Sequence, residues 1–335
     1  MGKKEFRQIR ALTFGEALFD IIKGVPLLGG APLNLAAHLA KLGARPAVIT
    51  AVGNDSLGEI LISRAKKMGI ETSYILIDEK RPTGTVNVEL KGEGIPIFTI
   101  NEEVAWDAII LDEEKFKSLK EVEWDVFCFG TLAQRSEVNR NTLKRLLSEI
   151  KAKHFFYDIN LRTGFYKEEW ILSSLEHSTI LKMNEEEAIF VSNMLFGQEF
   201  FNQEFFNPQF LSGKSDMQNK MYNKLCSRLI EKYPDVVAIC ITKGPEGATV
   251  YSNGTDEEIR TSPAEVEDTV GAGDAFSAGF LYTYLSGSSV SKAASVATIL
   301  GTYVASKPGS VPEYSKELIE KLKSVGLDLS FSSNE

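Results

Sequence analysis

The sequence is poor in the residues that build disulfide frameworks and histidine-centred sites. Its 335 residues include three cysteines and three histidines. The cysteines, Cys128, Cys226 and Cys240, show no paired spacing, which argues against a disulfide scaffold and favours a reducing, cytoplasmic location. Three histidines are a poor basis for a histidine-rich metal site or a Ser/His/Asp triad. We therefore expect each histidine to be structural or solvated.

Long apolar runs and an excess of positive charge are also absent. No run of about 18 uncharged apolar residues occurs, so no membrane-spanning helix is expected. The start of the chain, MGKKEFRQIR, lacks the apolar region of a signal peptide. The 37 Lys and Arg against 46 Asp and Glu give a net charge of −9, which argues against nucleic acid or an anionic membrane as a partner. A small anionic ligand held by backbone N–H groups remains compatible with this charge.

What the chain does contain is an alternation of short apolar runs and longer amphipathic ones. The short runs are apolar throughout, which is typical of strands buried on both faces of a parallel sheet. We therefore predict an α/β fold in a single domain over 1–335, with a central, mostly parallel sheet flanked by helices. Strands are predicted at Ala11–Gly15, Ala47–Val52, Val126–Gly130, His154–Ile159, Ile180–Met183, Val236–Thr242 and Ala248–Tyr251. Helices are predicted at Pro32–Leu42, Leu57–Met68, Asn141–Ile150, Glu185–Leu195, Met217–Glu231, Ala272–Leu285 and Val290–Ser306.

One region interrupts this rhythm. Thr83–Leu90 and Ile95–Asn101 are strand-like and flank the sequence KGEG, which predicts a hairpin. The strand-like Ala17–Ile22 is a candidate for a third strand of the same sheet. The segments at about 15–25 and 83–105 therefore form either an ordinary edge hairpin or a small lid over a cleft.

A late segment, DTVGAGDAFSAGF at 268–280, places a Gly-Ala-Gly turn at the start of an amphipathic helix. The first N–H groups of a helix have no intrahelical partner, and the helix dipole is positive at that end. Glycine also lets the backbone approach a phosphoryl group closely. Asp274 lies in the first turn, where a carboxylate can take the proton of a substrate hydroxyl. The alternative is a plain helix start with an acidic residue in its first turn.

An early segment, LGGAPLNLAAHLAKLG at 28–43, puts a Gly-Gly turn ahead of another helix, with Pro32 in its first turn. Gly30 lets a small ligand pack on the backbone, and Asn34 is placed to bind the hydroxyls of a polyol. Upstream, Asp20 can accept two hydroxyl hydrogen bonds. This combination suits a neutral polyhydroxylated substrate, while the alternative is a turn carboxylate and a helix-start amide.

In their order and separation, these two segments resemble the two signatures of the ribokinase/fructokinase superfamily, the PfkB carbohydrate kinases. Three further segments match in the expected order: YDINLR at 157–162, KMNEEE at 182–187 and ITKGPEG at 241–247. The resemblance runs from about Ala11 to Val325. It implies a ribokinase-like fold and the ATP-dependent phosphorylation of a sugar hydroxyl.

The resemblance also implies roles for individual residues. Asp274 would be the catalytic base, and the backbone N–H groups of the turn before it would stabilise the transferring phosphoryl group. Arg162 would reach the phosphate or the sugar with a guanidinium suited to bidentate contacts. The implied sites are a phosphoryl cup of Gly271, Ala272, Gly273 and Asp274; a sugar site of Asp20, Gly30, Asn34, Asn101 and Phe98; and a nucleotide site of Asn184, Thr242, Gly244, Gly247, Gly273, Ala297 and Gly301.

Two cation sites follow from the same resemblance. In the family, the pair equivalent to Asn184 and Glu187 orders waters around Mg²⁺ near the phosphates, although the same spacing also has the form of a helix capping box. The carbonyls of Asp268 and Val270, together with the Ser306–Ser310 loop, are candidate ligands of a monovalent cation such as K⁺, as in some members. The small sheet would cover the sugar and exclude water, and in some relatives it forms a dimer interface, so a homodimer through the lid stays open.

The preferred sugar is indicated by the forms Gly-Gly-Ala-Pro-x-Asn and Asp-x-Asn-Leu-Arg, which point to a fructokinase making fructose 6-phosphate. Many fructokinases carry an arginine just before the asparagine of the lid segment, whereas Ile100 precedes Asn101 here. A 2-keto-3-deoxygluconate kinase, a ribokinase and a nucleoside kinase are the alternatives within the family. A non-catalytic sugar sensor on the same fold is a further alternative, against which the presence of Asp274 argues. The chain has neither GxGxxG after its first strand nor a GxxxxGK[ST] motif, which excludes a nicotinamide-dependent enzyme and a P-loop enzyme.

Overall fold

Two β-sheets organise the fold of the computed structural model, which describes residues 8–22, 24–91, 95–197, 200, 214–252, 254–261, 265–327 and 329. At 88–91, 95–98 and 214–218 it describes the backbone alone. The strands are β1 (Arg10–Phe14), β2 (Leu18–Ile22), β3 (Val25–Gly29), β4 (Arg45–Gly53), β5 (Ile75–Asp78), β6 (Gly84–Lys91), β7 (Ile95–Ile100), β8 (Glu123–Gly130), β9 (Lys151–Asp158), β10 (Ile180–Asn184), β11 (Ala238–Thr242), β12 (Ala248–Ser252) and β13 (Thr255–Ile259).

The larger sheet has nine strands in the order β13-β12-β11-β10-β9-β8-β1-β4-β5. The seven strands from β11 to β5 are mutually parallel, and β12 and β13 add an antiparallel edge. The inner strands are apolar on both faces: every residue of β4 after its first is buried. This topology confirms the predicted α/β class with a mostly parallel sheet.

Helices cover both faces of this sheet. They are α1 (Ala31–Lys41), α2 (Ser56–Lys67), α3 (Glu113–Glu121), α4 (Glu137–Glu149), α5 (Glu168–Glu176), α6 (Glu185–Phe196), α7 (Lys214–Lys232), α8 (Ala272–Leu285), α9 (Val290–Ala305) and α10 (Lys316–Ser324), with short 3₁₀ helices at Ala105–Asp107, Leu132–Arg135 and Gly244–Glu246. Among the described residues no helix is long and apolar enough to cross a membrane.

Alternation along the strands sends successive side chains into different cores. On β1, Leu12 and Phe14 join one apolar cluster, while Ala11 joins a second cluster that contains residues of α1, α8 and α9. Leu12 is fully buried, so its truncation to alanine would cost about 2–5 kcal/mol. The second cluster matters most for the site, because it packs α1 against α8.

The smaller sheet has four strands in the order β3-β2-β6-β7. The antiparallel pair of β6 and β7 confirms the predicted hairpin, and β2 joins it in parallel to β6. Residues 92–94 of the predicted turn lie outside the described residues. Strand β3 was not predicted, and it pairs antiparallel with β2 just before the Gly-Gly turn.

Candidate active site

Two helix N-termini meet in this fold, and each helix begins at a glycine with a positive φ. Gly30 precedes α1 with a φ of 106°, and Gly271 precedes α8 with a φ of 79°. A Cβ on Gly30 would lie 2.5 Å from the carbonyl oxygen of Glu16, and a Cβ on Gly271 would lie 2.5 Å from that of Ser310. Both turns therefore need glycine, because any side chain would push the neighbouring backbone away.

A side-chain hydrogen bond joins the two helices. Asn34 Nδ2 on α1 donates to Asp274 Oδ2 on α8 at 2.9 Å. Desolvation raises the pKa of Asp274 to about 6, although the Asn34 hydrogen bond and the positive charge of Lys182 act in the opposite direction. A carboxyl with this pKa is ionised at neutral pH and close to the pH of operation, as a general base requires.

The turn before Asp274 offers backbone N–H groups as a cup for an anion. The N–H of Ala272 donates to the carbonyl of Thr269 at 3.3 Å, so it is engaged within the turn. Gly271, Gly273 and Asp274 are at the N-cap and in the first turn, where helix geometry provides no intrahelical acceptor for the N–H. These three groups are therefore the better-placed donors of the predicted cup, and the contribution of the Ala272 N–H stays a prediction.

A buried lysine lies beside the cup, and the sequence reasoning missed it. Lys182 Nζ donates to both carboxylate oxygens of Asp158 at 2.9 and 2.8 Å. A Cβ on Gly273 would lie 3.3 Å from the same Nζ, so the ammonium adjoins the cup. Burial opposes its charge, but the Asp158 carboxylate outweighs that effect and raises the pKa of Lys182. The signal in the sequence is a lysine inside an otherwise apolar strand.

Glu16 is a second residue that the sequence reasoning missed. It is only 5% exposed, and burial raises the pKa of its carboxyl to about 7, with Arg162 and the backbone N–H of Ala31 acting against that rise. Ala31 is the first residue of α1, whose N-cap Gly30 has no side chain to offer. The Glu16 carboxyl thus lies at the start of α1, in a small cavity that Asp274 also lines.

The small sheet brings Asp20 toward this region. Its backbone register places Leu27, Asp20, Val86 and Ile100 in one row across the four strands, on one face of the sheet. Burial raises the pKa of Asp20 to about 6, while the charge of Arg162 lowers it. Asp20 is therefore the one ionisable group in an otherwise apolar row.

Arg162 stands in the loop after β9 and is exposed. Its Nη1 donates to the carbonyl of Leu161 at 3.2 Å. Its positive charge lowers the pKa of Glu16, Asp20 and Asp274, so it lies within electrostatic reach of all three carboxyls. The structure thus groups Arg162 with Asp20, Gly30, Asn34 and the residues of the cup.

Of the two lid residues predicted to contact the sugar, Asn101 and Phe98, the structure describes the side chain of Asn101 alone. Asn101 follows Ile100 and lies on the opposite face of the lid from Asp20. Its side chain donates to Thr85 Oγ1 at 2.6 Å, and its carbonyl accepts from Arg135 Nη2 at 2.7 Å. The side chain of Phe98 lies outside the described residues.

Asn184 and Glu187 form a capping box at the start of α6. Asn184 Oδ1 accepts from the N–H of Glu187, and Glu187 Oε2 accepts from the N–H of Asn184, both at 2.8 Å. Glu187 Oε1 accepts from the N–H of Leu161 at 2.8 Å, and burial raises the pKa of this carboxyl. Each oxygen retains a further lone pair, which fits a magnesium ion held through water. The described residues contain no cluster of three acidic, histidine or cysteine side chains that would bind a metal directly.

Most of the predicted nucleotide residues lie either at the end of β11 and in the turn after it, or in α9. Thr242 ends β11, and the turn after it closes through the N–H of Lys243 on the carbonyl of Gly247 at 2.8 Å, with positive φ at Gly244 and Gly247. Ala297 is fully buried in α9, where its Cα would lie 2.9 Å from a Cβ on Gly279 of α8.

Gly301 and Asp268 also have structural contacts. A Cβ on Gly301 would lie 3.1 Å from the carbonyl oxygen of Ala272, so this glycine lets α9 approach the cup closely. The carboxylate of Asp268 accepts from the N–H of Val270 at 3.0 Å and from that of Gly309 at 3.1 Å. Asp268 therefore ties the loop before the cup to the loop after α9, and the cation role of the Asp268 and Val270 carbonyls stays a prediction.

The sequence matches the family described as pfkB family carbohydrate kinase over residues 23–317. It is 30% identical over 287 residues to a sugar kinase of Pyrococcus horikoshii, covering 80% of each chain. The crystal structure of a sugar kinase from that organism in complex with ATP superposes with a TM-score of 0.72 at 25% identity, covering 94% of this chain and 98% of the other.

Two fructokinases are also similar. The Escherichia coli fructokinase is 27% identical over 281 residues, covering 80% of this chain and 82% of that protein. The fructokinase of Vibrio cholerae O395 with bound fructose, ADP and calcium ion superposes with a TM-score of 0.73, covering 95% of this chain and 99% of that chain. At 19% identity this second likeness shows the fold alone.

Proposed function

This chain belongs to the pfkB family of carbohydrate kinases, and we propose that it transfers the γ-phosphoryl group of ATP to D-fructose, giving fructose 6-phosphate and ADP. The observation that carries the proposal is the 2.9 Å hydrogen bond between Asn34 and Asp274. This contact joins the N-terminal ends of α1 and α8, so a hydroxyl bound beside it can contact both the amide and the carboxylate, which supports the proposal.

Asp274 acts as the general base of the transfer. The substrate oxygen forms a bond to the γ-phosphorus as its proton passes to the carboxylate, and the bond from that phosphorus to the bridging oxygen of ADP breaks. With a pKa of about 6, Asp274 is still ionised at neutral pH before the transfer. Because this pKa is raised, the carboxyl holds the proton more readily afterwards. The protonated carboxyl then returns its proton to water.

The negative charge on the transferring phosphoryl group is stabilised by the cup and by two cationic side chains. The free N–H groups of the helix start are fixed in place before the reaction, so they need no reorganisation to bind the equatorial oxygens. Lys182 adds a buried ammonium beside Gly273, held there by Asp158. Arg162 adds a guanidinium at the exposed side of the cleft, with the geometry for bidentate phosphate contact.

Magnesium fits the polar groups at the start of α6 only through water. When bound with ATP, the ion would neutralise phosphate charge, and Asn184 and Glu187 would hold its waters. Both carboxylate oxygens of Glu187 are fixed by backbone N–H groups, so the direction of their remaining lone pairs is set by the fold.

The lid supports a neutral sugar as the acceptor. Asp20 has apolar neighbours, Val86 and Ile100, in its row, so a diol can bind the carboxylate while C–H groups cover the apolar residues. An acidic sugar such as ketodeoxygluconate would add a negative charge to a cleft that already holds the carboxyls of Asp20, Glu16 and Asp274. Fructose therefore ranks ahead of ketodeoxygluconate, and the similarity to the Escherichia coli fructokinase supports the same order.

A coupled ADP-release assay over fructose, ribose, ketodeoxygluconate, tagatose 6-phosphate and adenosine tests the proposal. We expect the highest kcat/KM with fructose. Preference for another sugar of the panel would overturn the choice of fructose and retain the kinase. Sugar binding without turnover on any member would instead support a non-catalytic sensor.

A further inference from the structure

A chain of hydrogen bonds leads from Asp274 to the loop after α9. Asn34, whose amide donates to Asp274, receives a hydrogen bond in turn: Ser310 Oγ lies 3.1 Å from Asn34 Oδ1. The same hydroxyl lies 3.3 Å from the carbonyl oxygen of Leu28, so the shorter contact is the one to the amide. A hydroxyl donating to Oδ1 turns the NH₂ of the amide toward the carboxylate.

His38 holds Ser310 from the other side. His38 Nε2 lies 2.9 Å from the carbonyl oxygen of Ser310, and because a carbonyl only accepts, Nε2 carries the hydrogen. Nδ1 then accepts from the hydroxyl of Tyr314 at 2.8 Å. Burial lowers the pKa of His38 to about 4, so the imidazole is neutral at working pH and its tautomer is set by these two partners.

Ser310 also adjoins the cup itself. A Cβ on Gly271 would lie 2.5 Å from the carbonyl oxygen and 2.6 Å from the Cα of Ser310, so the two backbones are in contact. The residue is 6% exposed and is thus enclosed between α1 and the turn before α8. One small residue therefore touches both halves of the site, the amide of Asn34 and the first glycine of the cup.

We propose that Ser310, held in place by His38, is a positioning residue that orients the Asn34 amide toward Asp274 and fixes the base relative to the cup. This inference rests on the proposed function, because it assigns a role in the reaction of the same site. Neither residue touches the reacting atoms, so both act through Asn34.

The pH dependence of turnover offers a readout that simple packing would not change. Without the Ser310 hydroxyl, the Asn34 amide is held less firmly in its orientation. Its hydrogen bond then stabilises the ionised carboxylate of Asp274 less. The acid limb of kcat/KM should then move to higher pH. The groups that face Asp274, and that also contribute to this limb, are Asn34, Lys182, Asp158, Arg162 and Glu16, while His38 faces Tyr314 and Lys41.

The first experiment compares Ser310→Ala with Ser192→Ala. Ser192 is another buried serine, in α6, and its hydroxyl has no hydrogen-bond partner among the described residues. For Ser310→Ala we expect kcat to fall roughly tenfold, the rate equivalent of one hydrogen bond, with the KM for ATP retained and the acid limb moved up. For Ser192→Ala we expect the wild-type kcat and pH profile.

The second experiment uses His38, in case Ser310→Ala does not fold. A glutamine at 38 retains an N–H donor for the Ser310 carbonyl, whereas a leucine of similar size has none. His38→Leu should therefore lower kcat and move the acid limb, and His38→Gln should recover most of both. Equal kinetics in the two variants, or a wild-type acid limb in Ser310→Ala, would overturn the inference. Since these comparisons require an active wild-type enzyme, their failure is distinct from a failure of the proposed function, in which the wild type itself does not turn over.

Discussion

Replacing Asp274 by asparagine tests the centre of the proposed mechanism. The exchange removes one ionisable group and keeps the shape of the side chain. Its carbonyl oxygen can accept from Asn34 Nδ2 where the carboxylate now does, at 2.9 Å. Burial already opposes the charge of Asp274, so the neutral side chain should be tolerated by the fold.

We expect the Asp274→Asn exchange to lower the rate of turnover. A positioned general base contributes roughly 10²–10⁴ in rate, which corresponds to about 3–5 kcal/mol of transition-state stabilisation. The cup N–H groups and the Lys182 ammonium are retained, so the affinities for ATP and sugar should change little. We therefore expect kcat to fall by that factor with the two KM values nearly preserved.

The assay is ADP release coupled to a dehydrogenase at saturating ATP, with thermal melting to confirm folding. Asp235→Asn is the matched control: Asp235 is an exposed aspartate before the start of β11, whereas the predicted nucleotide residues follow the other end of that strand, so this variant should retain the wild-type rate. If folded Asp274→Asn turned over within about threefold of wild type, Asp274 would not be the general base and another group would have to take the proton.

Three further predictions follow from the same contacts. Asp274 must be ionised to accept the proton, and its pKa is raised to about 6. We therefore expect kcat/KM to be at its maximum at neutral pH and to fall as the pH drops through about 6. A kcat/KM independent of pH between 5 and 7 would contradict this. Lys182→Met leaves the Asp158 carboxylate buried and unpaired, so urea titration should show a loss of about 3–5 kcal/mol, while an unchanged midpoint would mean that the pair is solvated. Gly271→Ala forces a side chain into a left-handed turn and against Ser310, so stability should fall by about 1–3 kcal/mol and kcat with it, whereas wild-type kinetics would show that the turn can relax.

The sequence predicted the main sheet and the lid because their signals are local. Apolar runs without alternation indicated β4 and its neighbours, and the two strand-like segments around KGEG indicated the hairpin. Elements with weak apolar patterns were missed. Strand β13 has the sequence TDEEI and is exposed along most of its length, and α3 buries only Phe116 and Leu119 among its nine residues.

The residues of the site divide in the same way. Glycines before helices and the acidic residue after them could be found from motifs, and the structure brings Gly30, Asn34 and Asp274 together. Lys182 and Glu16 could not be found from motifs. The role of a charged residue within or beside an apolar strand depends on the partner that the fold brings to it, and the sequence does not show that partner. Register decided the position of Asn101: one residue along a strand exchanges one face of the lid for the other.

The hydrogen bond between Asn34 and Asp274 spans 240 positions of the sequence. During synthesis the amide leaves the ribosome long before its carboxylate, and the lid and the first strands can already be in place when α8 is still untranslated. A chain interrupted before that helix would have Asn34 and the lid but not the proposed catalytic base. Formation of the complete site therefore depends on the translation of α8.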